Sequence, residues 1–267
     1  MVHLPPELCH MIAAQLENDP QTLLSLLLAS QSFLYETARV LYRTIRIRRN
    51  QPRDRLPLSN ASRRSYYGRF VHSLIIESRK IRDLNLRPIL SAVVNLKNLY
   101  ITERWCQRVV THLRSDYPFR LKVLELSAPS NAKIFGFLKS QPDIRALSWE
   151  HPMLYAKAIP SHPDLLPKLV SLQTYDTGIL DSPWFKSNTS IRHLCFSDPP
   201  TFSTSLNYRP SDGSRGIVSL RLLTFVDEEQ RPMIPTLFPH LDFLDVRYME
   251  VSDISVVYEM YLTVLRL

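Results

Sequence analysis

The sequence predicts an α/β protein: a short N-terminal helical unit, then an irregular solenoid of repeats with parallel strands inside and helices outside. Three observations predict it. The first 45 residues divide into three segments with apolar residues at helical spacing. From Val71 to Leu267 an apolar-x-x-apolar-x-apolar pattern recurs at steps of 21 to 29 residues. A basic stretch, residues 46–69, joins the two, so the expected organisation is 1–45, 46–69 and 70–267.

Composition narrows the chemistry. Of 267 residues only 5 are glycine, and neither GxGxxG nor GxxxxGK[ST] occurs, which argues against a phosphate-cradling loop. Cys9, Cys106 and Cys195 are odd in number and far apart, with no CxxC pair. That usage fits a reducing compartment, so the cytoplasm, the nucleus or both are expected. No apolar run approaches the ~20 residues of a membrane helix, and no leader pattern opens the chain. The formal charge of +8 is local: nine arginines lie between Arg43 and Arg69 against one acid, Asp54.

The first helix is expected to open at Pro5-Pro6, where a missing N–H costs nothing, and to carry Leu8, Met11, Ile12 and Leu16. Asn18-Asp19-Pro20 breaks the chain. Asp19 caps a second helix that is apolar around nearly its whole circumference, from Leu23 and Leu24 through Leu26, Leu27 and Leu28 to Ala29. A third helix runs from about Phe33 to Tyr42, with Leu34, Ala38 and Leu41 on one side. Three helices of roughly 40 residues cannot bury that many leucines among themselves. Each leucine buried is worth about 1.5–3 kcal/mol. The surplus is relieved if one side packs on the following domain and another on a separate protein, or if the helices form a wholly internal cap on the repeats.

The order Leu4-Pro5-x-Glu7-Leu8-x3-Ile12-x3-Leu16, then Asp19-x3-Leu23-x2-Leu26-x-Leu28-Ala29-Ser30, resembles an F-box. It covers about 30 residues of the chain; Ala29 stands where the family usually has Val, and Phe33 supplies the aromatic that follows. The resemblance implies docking onto the Skp adaptor and, through it, onto the cullin scaffold of a Skp–cullin–F-box ubiquitin ligase. The adaptor-binding residues it implies are Leu4, Pro5, Leu8, Ile12, Leu16, Leu24 and Leu27.

Residues 46–69, with two prolines, several Ser and Asn, and Tyr66-Tyr67, read as an exposed connector. Its arginines suit a solvated loop. They also suit phosphate contacts with base stacking, although no nucleic-acid fold signature lies nearby.

The repeats begin at Val71/Leu74/Ile76, Leu96/Leu99/Ile101, Leu121/Leu124/Leu126, Ile144/Leu147/Trp149 and Leu169/Leu172/Thr174. They continue at Ile191/Leu194/Phe196, Leu220/Leu223/Phe225, Leu241/Leu244/Val246 and Leu262/Leu265/Leu267. This period is that of leucine-rich repeats. Fourth and sixth positions alternate inward on a short strand; third, fifth and seventh face outward. Helix-compatible segments lie between: Arg87 to Val94, Trp105 to Leu113, Ala132 to Lys139, Met233 to Phe238 and Ile254 to Tyr261. No asparagine ladder can form at the ninth positions, so the solenoid should be irregular. The last match lacks a following helix. Either the natural chain is longer, or that strand pairs with a partner or frays, and residues from about Ile254 onward should be the least stable.

No catalytic constellation emerges. Cys106 and His112 are six apart, poor for one helical face, and no HxxxH or HExxH motif occurs. No enzyme activity, cofactor or metal is expected. A protein target is expected on the outward face, at Tyr100, Glu125, Gln173, Tyr175, His193, Phe243 and Asp245. Second positions supply a basic rim, Lys97, Lys122, Arg145, Arg192 and Arg221, suited to an acidic or phosphorylated segment. The leading reading is a substrate receptor of the ligase. The alternatives are a repeat scaffold whose helices cap the solenoid, and a nucleic-acid binder acting through the arginine stretch.

Overall fold

A computed structural model describes residues 4–48, 58, 66–77, 86–102, 111–129, 132–151, 165–175, 179–180, 182–197, 216–223, 233–249 and 259–262. The chain is α/β and divides into two compact units. The first comprises Met1–Glu103 with Asp116–Leu121; the second comprises Arg104–Ser115 with Lys122–Leu267.

The first unit opens with α1 (Pro6–Gln15), α2 (Pro20–Ala29) and α3 (Gln31–Leu41). Prolines stand in the first turns of α1 and α2, as expected. Asp19 caps α2: its carboxylate accepts from the Gln21 and Thr22 amides and, at 2.6 Å, from the Thr22 hydroxyl. Ser30 caps α3 through the Ser32 amide. α1 and α2 each pack on α3. His10 Nδ1 stands 3.0 Å from Glu36 Oε2, joining α1 to α3 at a buried carboxylate.

The strands then begin earlier than the repeat pattern suggested. β1 (Thr44–Arg48) pairs in parallel with β2 (Ser73–Glu77), Ile45 opposite Leu74 and Ile47 opposite Ile76. The Thr-Ile-Arg-Ile-Arg alternation places both isoleucines in the core and the arginines outside. The expected boundary at 45/46 therefore falls inside a strand. The stretch expected to be an exposed connector also contributes to the core: Ile47 and Leu58 are buried, and Tyr67 stacks on Tyr42 with ring centres 4.2 Å apart. A 3₁₀ turn, Gly68–Phe70, leads into β2. α4 (Arg87–Ala92) connects β2 to β3 (Asn98–Ile101), again parallel.

The second unit holds β4 (Val123–Pro129), α5 (Ala132–Lys139), β5 (Ala146–His151), β6 (Ser171–Thr174), α6 (Pro183–Ser187) and β7 (His193–Phe196). β8 (Ser219–Leu222), α7 (Met233–Leu237), β9 (Phe243–Met249) and β10 (Glu259–Leu262) follow. β4 to β9 pair in parallel in chain order. Ser182 caps α6 and Pro183 opens it, which turns Trp184 and Phe185 into the core. The indole N–H of Trp184 donates to the Leu165 carbonyl at 2.7 Å.

The inward positions behave as a single pattern. First, fourth and sixth positions from Val71 to Phe196 are buried, Trp149 and Phe196 among them, and so is the one polar member, Thr174. Within each unit, burial of these apolar positions is the main force holding the parallel strands in register, because a one-residue slip would expose them. Leu244 and Val246 of β9 are only half-buried.

Two expectations are corrected. Leu194 lies opposite Leu220, and Leu220 opposite Leu244, so the repeat frame here is Ile217/Leu220/Leu222 rather than Leu220/Leu223/Phe225. Both triplets match the pattern. The hydrogen-bonded register selects the first, and it replaces steps of 29 and 21 residues with 26 and 24. Leu222 accordingly faces the core rather than solvent. The last strand is also different. β10 is antiparallel to β9, with Glu259 opposite Met249 and Leu262 opposite Val246. Nine residues separate the two strands, fewer than the dozen or so a parallel crossover needs. Tyr261 is thus in a strand, not at the end of a helix; 254–258 and 263–267 lie outside the described residues, as do 103–110 of the helix expected at 105–113.

Candidate protein-binding surfaces

The helical unit leaves large apolar side chains uncovered within the first unit. Exposure is 44% at Leu8, 61% at Met11 and 41% at Ile12 on α1, and 48% at Leu24 and 82% at Leu28 on α2. Leu4 and Pro5 are exposed too; Leu16 and Leu27 are half-buried. The packed sides are small by comparison, with Cys9 and Ala13 on α1 and Leu23 on α2 against the interior. α2 therefore buries one leucine fully and leaves two exposed, which is the surplus that its all-round apolar sequence foretold. Exposed apolar area of this kind marks interaction surfaces.

In the second unit, parallel pairing sets the outward residues in rows. Glu125, Ser148, Gln173, Cys195, Arg221 and Asp245 form one row across β4 to β9. Val123, Ala146, Ser171, His193, Ser219 and Phe243 form the row beside it. Glu150 is the polar centre: it accepts from the Ser127 hydroxyl and, at 3.3 Å, from the Tyr175 hydroxyl. Burial, and secondarily the charge of Glu150, hold the Glu125 carboxyl above its ordinary value. The Gln173 amide donates to Ser197 Oγ at 3.2 Å. Glu150 was legible only as one seventh position among several; its two hydroxyl donors come from β4 and from the residue that follows β6.

The basic rim is shorter than expected. Second positions are linked by backbone bonds running Arg145 N–H to Lys122 C=O, Val170 to Arg145, Arg192 to Val170, Val218 to Arg192 and Asp242 to Val218. Lys122 and Arg145 are neighbours, but Val170 and Val218 interrupt the row and Asp242 reverses its sign. Arg221 is not on it. It sits in the outward row and pairs with Asp245, Nε to Oδ2 2.8 Å. Tyr100, on β3, belongs to the first unit. Lys97 immediately precedes that strand.

Among the described residues no group of three or more His, Cys, Asp or Glu side chains is placed to hold a metal, and no helix is long and apolar enough to cross a membrane. Cys9 is buried and Cys195 half-buried, neither in a disulfide; Cys106 lies outside the described residues. No protein-family model matches this chain, and no curated protein matches it.

Proposed function

We propose that this chain is the substrate-recognition subunit of a Skp–cullin–F-box ubiquitin ligase, built as an F-box followed by an irregular leucine-rich-repeat solenoid. The observation that carries the reading is the uncovered apolar side of α1 and α2, at the residues that resemble an F-box. Leu8, Ile12 and Leu24 dock on the Skp adaptor, with Leu4, Pro5, Leu16 and Leu27 around them, and the adaptor joins the chain to the cullin. A protein target binds the outward face of the repeats. There Glu125 and Glu150 offer acceptors, while Lys122, Arg145 and Arg192 offer cations at the strand starts. In this reading the chain performs no chemistry and acts in the cytoplasm, the nucleus or both. It raises the target's effective concentration at the ligase.

Co-expression of the full chain with the Skp adaptor, followed by gel filtration, tests the reading. A stable complex containing both proteins is expected; separate elution of the two would contradict it.

A further inference from the structure

The first unit contains a second candidate site, away from the uncovered leucines. A cleft of ≈ 560 Å³ opens between α3, the 3₁₀ turn, the starts of β2 and β3, and residues 118–120. That volume falls within the range of about 300–1,000 Å³ common for ligand sites. Five basic side chains line it: Arg39, Arg69, His72, Lys97 and Arg120. Among the described residues that line it there is no carboxylate. Arg39 stands 3.7 Å from Glu36, whose side chain is almost wholly buried, while Arg39 itself is half-exposed.

The cleft is held in shape. The Arg69 guanidinium lies over three rings, 4.8 Å from the centre of Tyr66, 5.0 Å from Phe70 and 5.6 Å from Tyr35. Such stacking holds a cation in place without neutralising it. The Asn95 amide donates to the Arg69 carbonyl at 2.7 Å, and His72 Nδ1–H donates to the Phe70 carbonyl at 2.8 Å. The two bonds hold the backbone carbonyls of the arginine and of the residue after it. The Asn95 anchor comes from 26 residues further along the chain, so the turn cannot shift without disturbing the approach to β3.

We infer that this cleft binds a phosphorylated serine or threonine side chain of a partner protein. A dianionic phosphate matches a fixed arginine with further cations beside it. Exposed Val94 on the wall suits an apolar neighbour of the phosphorylated residue. Arg69 already lies over one face of each of the Tyr35, Tyr66 and Phe70 rings, which leaves fewer faces for a phosphotyrosine ring or a stacked nucleobase. The assignment is independent of the adaptor reading, since none of the residues named for adaptor docking lines the cleft.

The test uses the purified full chain and a fluorescein-labelled degenerate peptide pool with one central phosphoserine, followed by polarisation. The same pool unphosphorylated and a labelled single-stranded RNA serve as comparisons. Arg39→Glu with Lys97→Glu reverses two exposed charges of the cleft; Lys139→Glu makes one such reversal on α5. Circular dichroism verifies folding, and inorganic pyrophosphate serves as competitor. The expected result is a preference of about tenfold or more for the phosphorylated pool. Pyrophosphate and the double variant abolish it, and Lys139→Glu keeps it. Equal binding of the two pools, a preference that survives in the folded double variant, or saturable RNA binding in place of phosphopeptide binding overturns the assignment.

Discussion

Gly68 and Ala92 approach so closely that a Cβ on Gly68 would lie 2.5 Å from the Ala92 carbonyl oxygen. The 3₁₀ turn therefore rests directly on the end of α4. Backbone cannot withdraw as a flexible side chain can, so Gly68→Ala must push the turn outward. A loss of about 1–3 kcal/mol is expected, read by chemical denaturation. Phe70 ends the turn, so its packing is best read through hydrogen exchange at Val71 to Ile76. Unchanged stability and unchanged exchange would show that the turn is not seated there.

The corrected repeat frame makes opposite predictions for adjacent residues. Leu222 is fully buried, whereas Leu223 is only half-buried. Leu222→Ala should cost about 2–5 kcal/mol, and Leu223→Ala about 1 kcal/mol or less. Urea unfolding of the two variants distinguishes the frames, and the reverse order of cost would restore Leu220/Leu223/Phe225.

Glu125 supplies a pH prediction. Its carboxyl is raised by burial first and by Glu150 second. The folded state therefore holds this proton more tightly than the unfolded chain, whose value is near 4.5. Stability from this group is greatest at low pH and declines as pH rises from about that value through the higher folded one. Glu125→Gln should raise the melting temperature at pH 7.5 and leave it nearly unchanged near pH 4. A gain equal at both pH values would show that charge is not its origin.

Much of the fold was legible because one physical requirement writes a strong pattern. Inward positions of a buried parallel strand must be apolar, and Leu74, Leu99, Leu124, Leu147, Leu172 and Leu194 all stand where the period put them. Asp19-Pro20 announced α2 for an equally local reason. The misreadings share a different origin. At 217–225 two overlapping triplets satisfy the same pattern, and only pairing with β7 and β9 chooses between them. β1 was hidden because its outward residues belong to a run of arginines, so charge obscured the alternation of Ile45 and Ile47. The direction of β10 depends on loop length and pairing, neither of which an apolar triplet encodes. Of the candidate sites, the leucine surplus was visible in composition. The cleft was not, since it gathers Arg39, Arg69, Lys97 and Arg120 from four separated stretches.

The central claim is that the apolar side of the helical unit is an adaptor-docking surface. Isothermal titration of purified Skp adaptor into the full chain tests it most directly, with Leu8→Ala/Ile12→Ala as the paired variant. Both side chains are over 40% exposed, so their truncation should leave the melting temperature of the chain intact. Two anchor residues removed from a docked interface should weaken binding by about 100-fold or more. Saturable binding by the unaltered chain, lost in the variant with stability preserved, is the predicted result. No heat of binding to the unaltered chain, or equal affinity for both, would contradict the account.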